Sequence, residues 1–166
     1  MEKNLHSAEA VAKYKSLVSA IGTCMFTTSG ESGHHASRPM AIVDVDDDAN
    51  TWFFTSLNSE KIKDIRNDQD VAMIFAHPGK EIYVDVKGRA AIITDRATME
   101  SKWNPIVKVW FPEGVDSPDI CLLKVKTDEA HYWDSDSSKM MQAFKMLASV
   151  VTGQNLVKGV HGDLNL

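Results

Sequence analysis

The run Ile82–Thr94 constrains the fold of this 166-residue chain more than any other segment. Its side chains alternate: Ile82, Val84, Val86, Ala90 and Ile92 fall on one face, Tyr83, Asp85, Lys87 and Arg89 on the other. Successive side chains of a strand point to opposite faces, so the pattern predicts a long strand with one face on a core. Gly88 interrupts it midway. A glycine there marks a bulge, or a bend sharp enough for one strand to serve two sheets or turn a barrel corner.

The segments Cys24–Thr28, Ser37–Val45, Thr51–Ser56, Val71–Ala76, Ile120–Val125 and Ala130–Trp133 are short and rich in β-branched or aromatic residues, which predicts further strands. GESGHH (30–35) and DDDAN (46–50) read as hairpin connections, making the first strands an antiparallel meander. Helical spacing appears in Ser7–Ile21, where Val11, Tyr14, Val18 and Ile21 share a face, Ser7 can cap and Gly22 follows the end. Ala97–Trp103 and Pro105–Trp110 read as short helices, and residues 138–152 as a C-terminal helix with a stripe of Met140, Phe144, Leu147 and Val151. The chain therefore reads as mainly β with flanking helices, a small antiparallel barrel or, on alternation alone, almost equally a sandwich. No linker or repeat divides it. One domain over residues 1–166 is expected, with a core over 7–135 and a tail over 153–166.

Charge narrows the partners. Eighteen Lys and Arg against 23 Asp and Glu give a net charge of -5, which argues against broad binding to nucleic acid or an anionic membrane. An anionic ligand must then be held by a local cluster of cations. Asp44, Asp46, Asp47 and Asp48 lack the glycine and terminal glutamate of a calcium loop and read as a solvated turn. His34, His35 and His77 lie in loops without metal-ligand spacing, so no metal is expected. Cys24 and Cys121 each sit in an apolar run and read as buried free thiols of a reducing compartment. No apolar run approaches the roughly 18 residues of a membrane span, and MEKNLHSAEA shows no charged-then-apolar export pattern. A cytoplasmic protein is expected.

The segment Thr51–Phe75 carries the clearest chemistry. A strand ends in Phe54-Thr55-Ser56, and Ser59 can cap a short helix bearing Lys61, Lys63 and Arg66. Hydroxyls and backbone N–H groups at a helix start, with a lysine in the first turn, suit a phosphate. The plainer reading is a capped helix with a solvated basic face. Arg38 stands in SRPMAIVDV, and Pro39 after it removes a ladder donor, which suggests an edge strand beside a cavity. Convergence of Arg38 with Lys61 would supply the positive field that an acidic chain otherwise lacks.

These pieces, in this order, carry a resemblance. Ser-Arg-Pro-Met, a strand ending Phe-Thr-Ser, Ser-x-Lys-x-x-x-x-Arg-Asn-Asp and Val-Asp-Val-x-Gly-Arg-Ala resemble the pyridoxamine 5′-phosphate oxidase-like FMN-binding split-barrel superfamily. Trp-Asn-Pro, Val-Trp-Phe-Pro-Glu-Gly and Ala-His-Tyr-Trp-Asp are similar to its general stress protein branch. The likeness spans roughly Ser7 to Trp133. It implies a six-stranded antiparallel split barrel of Greek-key form and a homodimer with two flavin sites at the subunit interface. By position it implies FMN contacts from Arg38, Pro39, Met40, Thr55 and Ser56, a phosphate grip from Ser59 and Lys61, aromatic contacts from Trp110 and Phe111 near the partner subunit's flavin, and one from Trp133. The family oxidases carry an arginine where this chain has Glu60 and a lysine where it has Val43, which implies a weaker phosphate grip. After Trp133 the chain continues Asp-Ser-Asp-Ser-Ser-Lys instead of the oxidases' Arg-Leu-His type motif, which argues against pyridoxamine phosphate oxidation.

The resulting expectation is an FMN-binding protein, with FAD as the alternative cofactor, acting as an oxidoreductase linked to the general stress response. Two other readings stay open: a flavin-binding or flavin-sequestering protein without turnover, and a binder of another planar cofactor such as haem or a deazaflavin. No catalytic acid or base is assigned.

Overall fold

The computed structural model describes residues 5–135 and 159–166. The helix expected over residues 138–152, with its methionine-bearing stripe, lies outside the described residues. In chain order the elements are β1 (Leu5–His6), α1 (Ser7–Ile21), β2 (Thr23–Ser29), β3 (His35–Ala41), β4 (Asp44–Val45), β5 (Thr51–Ser56), α2 (Glu60–Asn67), β6 (Asp70–His77), β7 (Ile82–Ile93), α3 (Arg96–Ser101), β8 (Ile120–Asp134) and β9 (Val160–Asn165). Two 3-10 turns, Pro105–Val109 and Gly114–Asp116, lie between α3 and β8.

The strands form one sheet in the order β1-β9-β8-β7-β6-β2-β3, with β5 on β8 and β4 on β5. Only the β1–β9 pair among them is parallel. The expected single strand Ser37–Val45 breaks at Ile42 and Val43, where the Val43 N–H donates to the Trp52 carbonyl at 2.9 Å. The chain thereby leads the sheet from β3 over to β5, and β2, β3, β5, β6, β7 and β8 curl into a half-barrel of the split-barrel type. Both expected hairpins form, β2–β3 and β4–β5. The meander does not continue: β6 returns to pair with β2, and β5 crosses to β8.

Burial explains the strand patterns. In β8, Cys121, Leu123 and Val125 join the main core, while Ile120 and Leu122 join a second cluster with Trp52 and Met99 under α3. Both faces are covered, so the segment reads as a continuous apolar run rather than an alternation. Fully buried Phe26, Phe53 and Phe75 fill the barrel, each stabilising by roughly 1.5–3 kcal/mol over an exposed state. Against this core α1 lays Ala10, Tyr14, Leu17 and Val18 and ends at Gly22, whose φ of 80° is the left-handed conformation that glycine adopts at helix ends. The Tyr14 hydroxyl meets Thr51 Oγ1 at 2.7 Å, and Thr127 Oγ1 donates to the Ala49 carbonyl at 3.0 Å, so the polar groups under the helix are paired.

The irregularity expected at Gly88 is present, but the extra residue belongs to the partner strand. Lys87 lies opposite Glu129 and Gly88 opposite Thr127, leaving Asp128 of β8 as the bulge. A Cβ on Gly88 would lie 2.3 Å from the Lys126 carbonyl oxygen, so the close approach of β8 requires glycine here. Arg89 fixes the bulge with two 2.9 Å bonds to the Asp128 carboxylate. Two further expectations change. Ile120–Val125 and Ala130–Trp133 are parts of one strand, β8, because the bulge accommodates the polar residues between them. Residues 153–166, expected as a tail, contain β9, which pairs with Ala130–Asp134 of β8.

Candidate functional site

A groove of about 280 Å³ opens between β3, the end of β5 and the 3-10 turn Pro105–Val109. Pro39, Met40, Thr55, Ser56, Trp110 and Phe111 all line it. Among the described residues the strand of Pro39 pairs only with β2, as suits a residue without an N–H donor. The turn is set by Pro105 at its first position and by Asn104, whose side chain accepts from the Ile106 N–H at 3.1 Å. It carries Trp110 at the rim, 64% exposed, with Ile106 and Val109 exposed beside it. Among the described residues none of the lining side chains is ionisable. Val43, at the oxidases' lysine position, is one of the apolar groups that keep it so.

The Thr55 end of this groove adjoins a cation, although neither Lys61 nor Arg38 lines the groove itself. Lys61, in the first turn of α2, donates to Thr55 Oγ1 at 2.9 Å. Burial, and then the charge of Arg38, hold its ammonium below the ordinary lysine range. The charges of the two side chains therefore interact. Among the described residues no carboxylate lies within ion-pair distance of Lys61. Arg38 donates through Nη1 to Thr28 Oγ1 at 2.7 Å, and Thr28 donates to Asp64 Oδ2 at 2.6 Å.

Ser59 occupies the N-cap position of α2, but its hydroxyl donates to the Ser56 carbonyl at 2.8 Å and makes no cap bond to the helix. The Ser56 hydroxyl donates to Asp119 Oδ2 at 2.6 Å and accepts from the Asn58 N–H at 3.1 Å. Both serine protons are thus engaged inside the protein. A phosphate, which only accepts, would find its donors in Lys61, Arg38, the Thr55 hydroxyl and the first N–H groups of α2.

Trp133 does not line the groove. It projects from the outer sheet face opposite Tyr83, 43% exposed, with its ring 4.6 Å from that of His131. On the same face Met25 lies between Pro39 and Ile74, both of which are its register partners. Met25, Ile74, Tyr83 and Trp133 are all exposed large apolar residues, a strip that leads away from the groove across four strands. The aspartate turn is a structural device: Asp46 accepts from the Asp48 and Asn50 N–H groups, the Asn50 amide and Trp52 Nε1. These bonds outweigh the burial that acts against its charge, and its carboxyl lies below the ordinary range. No cluster of three metal-ligating side chains forms among the described residues.

Three residues at the cationic end escaped the sequence reading: Thr28, Asp64 and Asp119. Asp64 follows Lys61 by one helical turn, so it could have been placed on the same face of α2. Asp119 reaches Ser56 across a separation of 63 residues, and no local pattern encodes that.

Comparison with known proteins completes the picture. A family model described as pyridoxamine 5′-phosphate oxidase like matches residues 9–157. A curated relative, protein bli-3 of Neurospora crassa, is 27% identical over 139 residues; the match covers 78% of this chain and 66% of the relative, slightly under two thirds of its length. Among solved structures, the general stress FMN/FAD binding protein of Xanthomonas citri is 29% identical with a TM-score of 0.67, covering 80% of this chain and 93% of that one. A general stress protein 26 from Jannaschia sp. matches with a TM-score of 0.77 over 96% of this chain and 99% of that one, at 20% identity, and so shares the fold.

Proposed function

The chain belongs to the pyridoxamine 5′-phosphate oxidase like family, and from that premise we propose that it is a homodimeric flavin-binding protein, taking FMN in preference to FAD, that acts as an oxidoreductase. The observation that carries this reading is the groove itself: its described walls are uncharged and end at Thr55, which accepts from Lys61, a cation that feels the charge of Arg38 and has no carboxylate partner among the described residues. That is the charge distribution of an FMN molecule, neutral at its ring system and anionic at its phosphate. Met40, Thr55 and Trp110 would face the ring, and Arg38 and Lys61 the phosphate. A bound flavin would supply hydride or single-electron transfer; the protein's share is to bind it, orient it and exclude water. The Xanthomonas citri protein, whose name records FMN/FAD binding, supports the cofactor class.

The exposed apolar side chains Met25, Ile74, Tyr83 and Trp133 on one sheet face support the dimer, as apolar groups gathered on one face often mark an interface. On a dimer Trp133, which does not line its own chain's groove, would approach the partner's ligand. None of the described helices is long and apolar enough to cross a membrane, and two buried free thiols suit a cytoplasmic setting. Asp134, which follows Trp133, forms an ion pair with Lys13, and Ser135 donates to the Lys80 carbonyl at 2.9 Å. Asp134 and Ser135 thus serve packing, and oxidation of pyridoxamine phosphate is not proposed.

Among the described residues no ionisable side chain lines the groove wall, which favours a second reading, storage or sequestration of flavin without turnover. Titration of the purified protein with FMN, followed by flavin fluorescence, tests binding; no saturable binding at micromolar flavin overturns both readings. Stopped-flow mixing of the loaded protein with NADH or NADPH separates them. Rapid flavin reduction supports the oxidoreductase, and no reduction by either nucleotide supports sequestration.

A further inference from the structure

We propose that Asp64, acting through Thr28, is a positioning residue that holds Arg38 for the phosphate at the cationic end of the groove and so gives the site its preference for phosphorylated flavin. The proposal rests on the flavin reading above. Thr28 has one hydroxyl proton, and at 2.6 Å it goes to Asp64 Oδ2. Its lone pairs are then turned toward Arg38, whose Nη1 donates at 2.7 Å. The second guanidinium nitrogen, Nη2, is 4.0 Å from Asp64 Oδ2, beyond hydrogen-bond distance.

The same chain shows what direct pairing looks like. Arg89 and Asp128 form a fork of two 2.9 Å bonds that occupies the guanidinium edge. Interposing Thr28 avoids that outcome at Arg38: the hydroxyl fixes one nitrogen, the carboxylate supplies orientation from a distance, and most of the N–H fork remains for a ligand. The group is sheltered, with Thr28 1% exposed and the side chains of Arg38 and Asp64 at 23% and 15%. It also joins three elements, since Thr28 lies on β2, Arg38 on β3 and Asp64 on α2. Because α2 carries Lys61 one turn before Asp64, the relay sets Arg38 relative to the helix that bears the other cation.

The test compares FMN with riboflavin, which has the ring but no phosphate, by fluorescence titration of the whole chain and its Asp64→Asn, Thr28→Val and Thr28→Ser variants. Asp64→Asn and Thr28→Val should each weaken FMN about tenfold and leave riboflavin within about twofold. Thr28→Ser, which keeps the hydroxyl, should retain FMN affinity within about twofold. Equal weakening of both flavins in Asp64→Asn, or an unchanged FMN affinity in both relay-breaking variants, overturns the positioning role. If Thr28→Val fails to fold, Asp64→Asn, nearly isosteric, decides alone. A wild-type protein that binds neither flavin refutes the flavin reading itself, a result distinct from either of these.

Discussion

Replacing Lys61 by methionine should separate ligand binding from folding. In the folded chain the ammonium is half-buried, donates to Thr55 Oγ1 at 2.9 Å and meets no carboxylate among the described residues. Burial first, and Arg38 second, lower its pKa, so folding disfavours the charge. The Thr55 bond opposes this with a net contribution of roughly 0.5–1.5 kcal/mol. Methionine keeps most of the apolar stem and removes the charge, so unfolding free energy without ligand should stay within about 1 kcal/mol of wild type or rise. Phosphate binding should suffer far more, because a sheltered charge-assisted contact contributes roughly 1.5–3 kcal/mol, or one to two decades in Kd. Riboflavin should lose nothing. The sign with pH follows from the lowered pKa. While Lys61 is charged in both states the folded protein bears the penalty, and it fades as pH rises through the folded value, so wild type should gain stability relative to Lys61→Met on the alkaline side. Urea unfolding across pH and FMN titration at fixed ionic strength measure both sides. A variant that binds FMN like wild type, or that loses about 3 kcal/mol of stability along with FMN, refutes the reasoning.

Gly88→Ala should destabilise by about 1–3 kcal/mol or more, since its Cβ would meet the Lys126 carbonyl oxygen at 2.3 Å; at roughly 2–4 °C per kcal/mol, thermal unfolding should show it, and an unchanged midpoint would be inconsistent with the bulge geometry. Burial pushes the Cys24 thiol up to about 12 and the Cys121 thiol up to about 11, so an aromatic disulfide reagent near pH 8 should leave both unmodified until the protein is unfolded. As these thiols ionise earlier in the unfolded chain, stability should fall as pH rises from about 9; fast modification of the native protein would count against both statements. Met25→Asp together with Ile74→Asp should convert a dimer to a monomer in light scattering without unfolding it, and a persisting dimer would move the interface off this strip. Trp110→Ala should weaken FMN and riboflavin alike, unlike Lys61→Met; an effect confined to FMN would place Trp110 at the phosphate end.

How much of this was legible varies with the range of the interaction. The alternation of Ile82–Thr94 located β7, and Gly88 located the register shift, because both are local consequences of backbone geometry. Which strand holds the extra residue was not legible, since Lys126–Glu129 reads as a break until it is seen opposite Gly88. Val160–Asn165 was hidden for a similar reason: VHGDLN has weak strand propensity, and pairing with β8 makes it a strand. At the site, Pro39 announced an edge and Ser-x-Lys announced an anion grip, yet Ser59 turns its hydroxyl to Ser56. Hydroxyl direction depends on which acceptor lies nearest in space, and sequence spacing does not record that. Trp133 is near Trp110 in residue type only; the fold places it on the outer sheet face.

The small β1–β9 pair fixes an order of events. Leu5 pairs with Leu164 and His6 with Asn165, across nearly the whole chain. During synthesis every strand of the half-barrel is available before Leu164 exists, so the curled sheet can close first and this clasp last. Contacts of such long sequence separation slow folding, because the loop they close is ordered late. Opening the clasp is correspondingly the step that needs least of the core to come apart: native-state hydrogen exchange should find β1 and β9 releasing ahead of β7 and β8, as the outermost latch of the molecule.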